Sequence, residues 1–306
     1  MMVVRYNNGS LRNRLRAAQA VASGFVGPLD GLPTPVLAYS TRRLRSAYSS
    51  SLAEWRRFSD SAVTTVDGDP AASFSITSSS PVGAGGTLGT WVSGTDGFYR
   101  TFYNQGSLAS GDLQQTSLSA QFRGAAAGTL DALNSRAGVK QTAAGQFMPS
   151  IGTFTQAQIA TGTSFTIAVV VVTAETSQSN VFTWGTTSFG ANIINILDEW
   201  SDSAAYFVGG NWSGDTLAYS QVNSNIPRVT VVRRDVNALT WRRDGATAAT
   251  GTASGSFTAT QTVSIGDTGR SLANGTIAEI VWWASALSDT DRATYEANAK
   301  AWFGTP

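Results

Sequence analysis

The chain has 306 residues, a net charge of +1, 13% charged residues and neither cysteine nor histidine. Those two absences exclude disulfides, thiolate or histidine metal sites, cysteine nucleophiles and all histidine-based catalysis. The near-zero charge excludes a global field that would draw the chain to nucleic acid or an anionic membrane.

In chain order, residues 1–10 turn polar at once, so no signal peptide is expected. Residues 11–23 read as a short helix, with Leu11, Leu15, Ala18 and Ala22 on one side and arginines on the other. Gly24, Gly27 and Pro28 end it. This thin stripe is expected either to pack on its own domain or to anchor the chain in an assembly. The arginine clusters at Arg12, Arg14, Arg16 and at Arg42, Arg43, Arg45 read as solvated faces or partner contacts rather than a nucleic-acid surface.

Residues 31–35 read as a linker and 36–48 as a helix. Residues 52–58 and 98–103 read as strands, 65–70 as a turn, and 73–97 and 106–146 as loops and irregular chain. Asp67-Gly68-Asp69 offers oxygen ligands for a calcium ion, or simply a turn. From Phe165 the pattern becomes regular. Phe165–Thr173 is a β-branched run suited to a strand buried on both faces. Strands follow at 181–184, 193–197, 204–208, 228–233, 238–243, 262–266 and 277–284. Asp235-Val236-Asn237 turns a hairpin, and the regular spacing marks a sandwich or barrel. The end is a helix: Ser288 caps it, Asp289 and Asp291 fill its first turn, and Gly304 stops it. Its stripe of Tyr295, Ala299, Trp302 and Phe303 is expected to lie on the sheet.

Three segments carry a resemblance: PTPVLAYSTRRLRSAYSSSLAEWRRFSD (33–60), YRTFYNQGS (99–107) and VSIGDTGRSLANGTIAEIVWWASALSDTDRATYEANAKAWFG (263–304). Together they resemble the catalytic domain of glycoside hydrolase family 54, the arabinofuranosidase B type, and more closely the phage structural proteins that carry a degenerate copy of it. The first segment keeps Ser40, Arg43, Leu44, Ala47, Tyr48, Leu52, Arg57, Ser59 and Asp60 of the family's pattern. The resemblance implies an all-β, concanavalin A-like sandwich (a jelly roll) spanning 33–306, with a C-terminal helix, preceded by the segment 1–32 with its short N-terminal helix as an anchor.

Glycoside hydrolysis usually needs two carboxyl groups. The resemblance places the acid/base at Asp267, in Ile265-Gly266-Asp267-Thr268, and the nucleophile at Glu199, with Asp198 as the alternative. Read as residues alone, Asp267 also suits the first position of a turn before Gly269. Glu54 and Glu296 read as surface groups and Glu279 as structural. The family's paired cysteines are absent, and Asn104 stands where the family has an aspartate of its sugar pocket.

Sugar binding without cleavage needs less: Asn104 for hydroxyls, and Trp200, Tyr206, Trp212 or Trp241 as stacking faces, each of which also suits a core position. The expectation is therefore a virion protein of a bacteriophage, in a tail fibre, tail tip or capsid decoration, glycan-binding and catalytically inactive. It would be made soluble and need no cofactor or metal. It would contact other virion proteins through its N-terminal segment and cell-surface glycans through its sandwich, as a homo-oligomer, without nucleic acid or membrane insertion. An active arabinofuranosidase and a free carbohydrate-binding module are the alternatives.

Overall fold

A computed structural model describes residues 24–143, 145–173, 179–185, 191–199, 204–211, 213–220, 225–255, 257–266 and 275–306. The expected helix at 11–23 and the arginines at 12, 14 and 16 lie outside these residues. Among those described, the chain is a sandwich of two large antiparallel sheets, one of thirteen strands and one of six.

The strand Phe165–Val172 shows why. Phe165, Ile167, Val169 and Val171 point into the core between the sheets, while Ala168 and Val170 belong to a second core on the outer face of the larger sheet. A strand apolar on both faces is stable only where both are covered. Thr276–Trp283 beside it is likewise buried throughout. Its outer side is covered by the C-terminal helix Asp289–Phe303, which lays Tyr295, Ala299 and Phe303 on Ala168, Val170, Val229, Val231, Val281 and Trp283. The helix begins and ends as its sequence directs. The Ser288 hydroxyl accepts the Asp291 N–H at 3.0 Å, and Gly304 takes φ +63°.

The expected hairpin forms, with Asp235 paired to Ala238. Other expectations need correction. Residues 36–48 hold no helix: Leu37–Ser40 is a strand paired with Thr276–Trp283. Leu37 and Tyr39 face the inner core and Ala38 the outer one, the two-residue period that a half-helical reading obscures. The segment 106–146 is not irregular but carries short strands, among them Arg123–Ala126 and Val139–Lys140 in the larger sheet. Strands Val63–Val66, Thr216–Ser220 and Ala246–Thr252 lie at the sheet edges, where polar and small residues suffice and no apolar run announces them.

The arginines at 42 and 43 are not solvated; both are nearly fully buried. The Arg43 guanidinium sits between the rings of Phe25 and Phe74, 5.3 and 5.1 Å from their centroids, and donates to the carbonyls of Arg45 and Ser46. Nor does residue 33 mark a break in packing. Leu29 and Leu32 are buried in the outer core, and Asp30 accepts the N–H groups of Gly27 (2.6 Å) and Ser46 (3.0 Å).

Burial alone would raise the Asp30 carboxyl, but the Ser46 and Gly27 N–H groups outweigh it and the net shift is downward. Its folded pKa is thus below the unfolded one. The carboxylate therefore stabilises the fold above the unfolded pKa, and this contribution is lost as pH falls through the folded pKa. Asp30→Asn is expected to lower stability at neutral pH and to leave it nearly unchanged in acid. Urea unfolding of both proteins at the two pH values measures this, and an equal loss at both would show that the charge is irrelevant.

Candidate functional site

The smaller sheet places its neutral polar groups on one face. In Ser179–Trp184, Ala191–Glu199 and Val263–Gly266, the residues Phe182, Trp184, Ile194, Ile196, Val263 and Ile265 fill the inner core. The alternate residues Thr183, Asn195 and Ser264 stand side by side across the other face, in register Ser264–Thr183–Asn195. Asn180 joins them: its amide donates to the Thr183 hydroxyl at 2.8 Å, and that hydroxyl lies 3.3 Å from the Asn195 carbonyl oxygen. All three of these linked side chains are buried. These three groups satisfy one another below the surface, and Ser264, half-buried beside Thr183, is the member of the row with exposed surface.

Two strands end toward one end of this face, on either side of Ser179–Trp184. Glu199 pairs with Ser179, and Ile265 pairs with Phe182 from the opposite side. The strand ends at Glu199 and Gly266 therefore lie toward the same end of the sheet, flanking Ser179–Trp184, about 12 Å apart as two strand spacings across and two residues along. Asp267 follows Gly266 in sequence but lies outside the described residues, as do Trp200 and Trp212. Tyr206 is half-buried in mid-strand, opposite Leu197 on one side and Ala218 on the other. Trp241 is not a stacking face: it is fully buried, 6.3 Å from the Tyr219 ring.

Asn104 has a different position and task. Its side-chain oxygen accepts the N–H groups of Ala38 (2.7 Å) and Gly106 (2.9 Å), and its amide nitrogen donates to the carbonyls of Leu108 (2.8 Å) and Val36 (3.4 Å). That uses the bonding capacity of the group on backbone. Its own N–H donates to Asp112 at 2.8 Å. Asp112 escaped sequence reasoning because no motif surrounds it. Burial raises its carboxyl above the ordinary range, opposed by the Asn104 N–H. Beside it, Tyr103 is pushed up to about 12 by burial, with Glu54 and Asp112 adding to the effect.

Five other acids singled out in the sequence, Glu54, Asp67, Asp69, Glu279 and Glu296, are engaged within the fold. Glu279 is fully buried and accepts Ser40 Oγ (2.8 Å), Arg42 Nε (2.9 Å), Arg42 Nη2 (3.2 Å) and the Tyr295 hydroxyl (3.0 Å). Glu296 is not a surface group. It is 3% exposed and pairs with Arg242 at 2.9 Å. Glu54 is half-buried against Arg100. In Asp67-Gly68-Asp69 the carboxylates are taken by Ser51 Oγ (2.6 Å), the Ala71 N–H (2.9 Å) and Thr77 Oγ1 (2.8 Å), the pattern of a turn. Among the described residues no cluster of three or more acidic groups is placed to hold a metal ion, and no helix is long and apolar enough to cross a membrane.

No protein-family model and no curated protein sequence matches the chain. Solved structures do. A mutant of GH54 α-L-arabinofuranosidase soaked with 4-nitrophenyl α-L-arabinofuranoside aligns with a TM-score of 0.59 at 18% identity, covering 89% of this chain and 64% of that one. An arabinofuranosidase complexed with arabinofuranosyl-α-1,2-xylobiose aligns with a TM-score of 0.58 at 18% identity and the same coverage. The chain thus spans just under two thirds of the length of these structures, and what it shares with them is the fold: a concanavalin A-like β-sandwich.

Proposed function

We propose that this chain is a glycan-binding sandwich of a bacteriophage virion, in a tail fibre, tail tip or capsid decoration, that has the fold of a sugar-cleaving enzyme without the cleavage. The observation that carries the reading is the state of Asn104. Where the resemblance calls for a sugar-pocket aspartate, this chain has an amide committed to four backbone groups. No cysteine pair supports the pocket either. A site stripped of its supporting groups retains shape more readily than rate. The polar row of Asn180, Thr183, Asn195 and Ser264 is neutral, and its half-buried member Ser264 carries a hydroxyl that a sugar could meet. Assembly contacts are assigned to the N-terminal segment, and a homo-oligomer is the arrangement a fibre or lattice would use.

One observation favours a second reading, an active arabinofuranosidase-type hydrolase. The strand ends at Glu199 and Gly266 share one end of the smaller sheet, as a pair of catalytic carboxylates would require. The test is turnover of an aryl α-L-arabinofuranoside by pure protein and by Asp267→Asn. No turnover by either is expected; turnover by the wild type that Asp267→Asn abolishes would replace the binding reading with the enzymatic one. Mass spectrometry of purified virions checks the location, and absence of the chain from the particle would overturn it.

A further inference from the structure

A second feature, away from the sheet face, has the makings of a ligand site. A groove of about 570 Å³ opens between the strand end at Phe58 and the segments that carry residues 117–119, Thr142 and Gln146. Phe58, Phe98 and Leu118 form its apolar part; Ser117, Ser119 and Thr142 supply hydroxyls, and the buried Gln146, whose amide is bonded to the Thr142 and Ala143 N–H groups, closes the wall. No lining side chain is ionisable. Of the two guanidinium groups next in the chain, Arg57 donates to Asp60 and the Trp91 carbonyl, while Arg56 reaches the rim of the groove and donates to the Thr116 carbonyl at 3.3 Å, beside Ser117.

We infer that this groove is a subsite for an uncharged sugar chain, an inference that rests on the glycan-binding reading. Phe58 is 59% exposed, an unusual position for a phenylalanine, and its ring lies 6.2 Å from that of Phe98. The platform is held in place from behind. The Phe58 N–H donates to the Asp96 carbonyl at 2.9 Å, and the Ser59 N–H to Thr95 Oγ1 at 3.2 Å. The opposite wall is equally fixed. Gln146 accepts the Thr142 N–H at 2.7 Å, and Gln115 donates to the Phe147 carbonyl at 3.1 Å. An exposed aromatic face on an anchored backbone, beside hydroxyls, matches a pyranose or furanose, which offers C–H groups on its face and hydroxyls at its rim.

The groove also adjoins the sheet end described above, because Phe147, next to Gln146, pairs with Gly266.

The test is binding to an array of neutral and acidic oligosaccharides by wild type, Phe58→Ala and Ser119→Arg, with melting temperatures taken alongside. Both positions are exposed, so unchanged melting is expected. The wild type should bind neutral chains, and each variant should weaken binding about tenfold or more, the usual scale for losing an aromatic anchor. Wild-type binding that both variants retain would remove the groove and leave the glycan reading intact. Preference for acidic chains would also overturn the groove. No binding by the wild type would overturn the glycan reading and the groove together.

Discussion

Arg42→Ala is expected to destabilise the protein by about 3–5 kcal/mol, the range for removing one partner of a buried ion pair. Arg42 is 3% exposed and Glu279 fully buried. The guanidinium supplies two of the four donors that hold the carboxylate, and it lies 5.2 Å from the ring centroids of both Trp302 and Phe303. Alanine leaves a buried carboxylate with only Ser40 and Tyr295 and opens space beneath the helix. Tyr295→Phe removes one hydrogen bond to a charged group and is expected to lose about 1.5–3 kcal/mol. The double variant Arg42→Met, Glu279→Leu removes both charges and should recover much of the loss. Urea unfolding of the three proteins measures all of this. A loss below about 1 kcal/mol for Arg42→Ala would show that the pair does not hold the helix.

A bulge makes this arrangement available. Val170 faces Glu279 while Val171 faces Ile277, so Ala278 is an extra residue on its strand. Ile277 and Ile280 both face the inner core, and Ala278 lies in the outer one. Glu279, out of alternation, is turned to the helix side, where it meets Tyr295. With the alternation continued from Ile277, the carboxylate would fall between the sheets, beside Val169 and Val171.

Trp282→Ala should cost about 3–5 kcal/mol, by lost burial and by the cavity it leaves. Trp282 is fully buried where the two sheets meet, 5.8 Å from the Phe165 ring and 5.6 Å from that of Phe182. Its indole N–H donates to the Ile159 carbonyl at 2.8 Å and thereby fixes the end of the short helix Gln156–Ile159. Trp282→Phe keeps most of the packing but leaves that carbonyl without its donor, so a smaller loss is expected. Equal losses for the two variants would mean that the hydrogen bond, and not the packing, dominates. Guanidinium unfolding separates the cases.

How far the sequence could be read follows from the range of the interactions. Phe165–Val172 and Thr276–Trp283 were legible because strands buried on both faces are apolar almost throughout. The C-terminal helix was legible because its caps are local. Leu37–Ser40 was not, because its pairing partner lies about 240 positions away, and Ser40 reaches Glu279 across that whole span. The buried arginines were hidden for the same reason: nothing near Arg42 in sequence announces a carboxylate. Within the candidate site, the stripe of Asn180, Thr183, Asn195 and Ser264 was missed because single polar residues within apolar strands carry no motif. Asn104 was singled out by resemblance, but only its four backbone partners reveal its task.

The position of Thr276–Trp283 also governs the order in which the molecule can be made. Of the described strands it comes last in the chain, yet it lies in the middle of the larger sheet, paired to Phe165–Val172 on one side and to Leu37–Ser40 and Val139–Lys140 on the other. Until it is synthesised, that sheet exists as two halves, each with an open, apolar edge. A nascent chain that has reached residue 275 therefore holds most of its strands but no closed core. Such an intermediate is prone to pairing with its neighbours on a polysome and to capture by chaperones, and folding proper begins only when the final strand inserts between the halves.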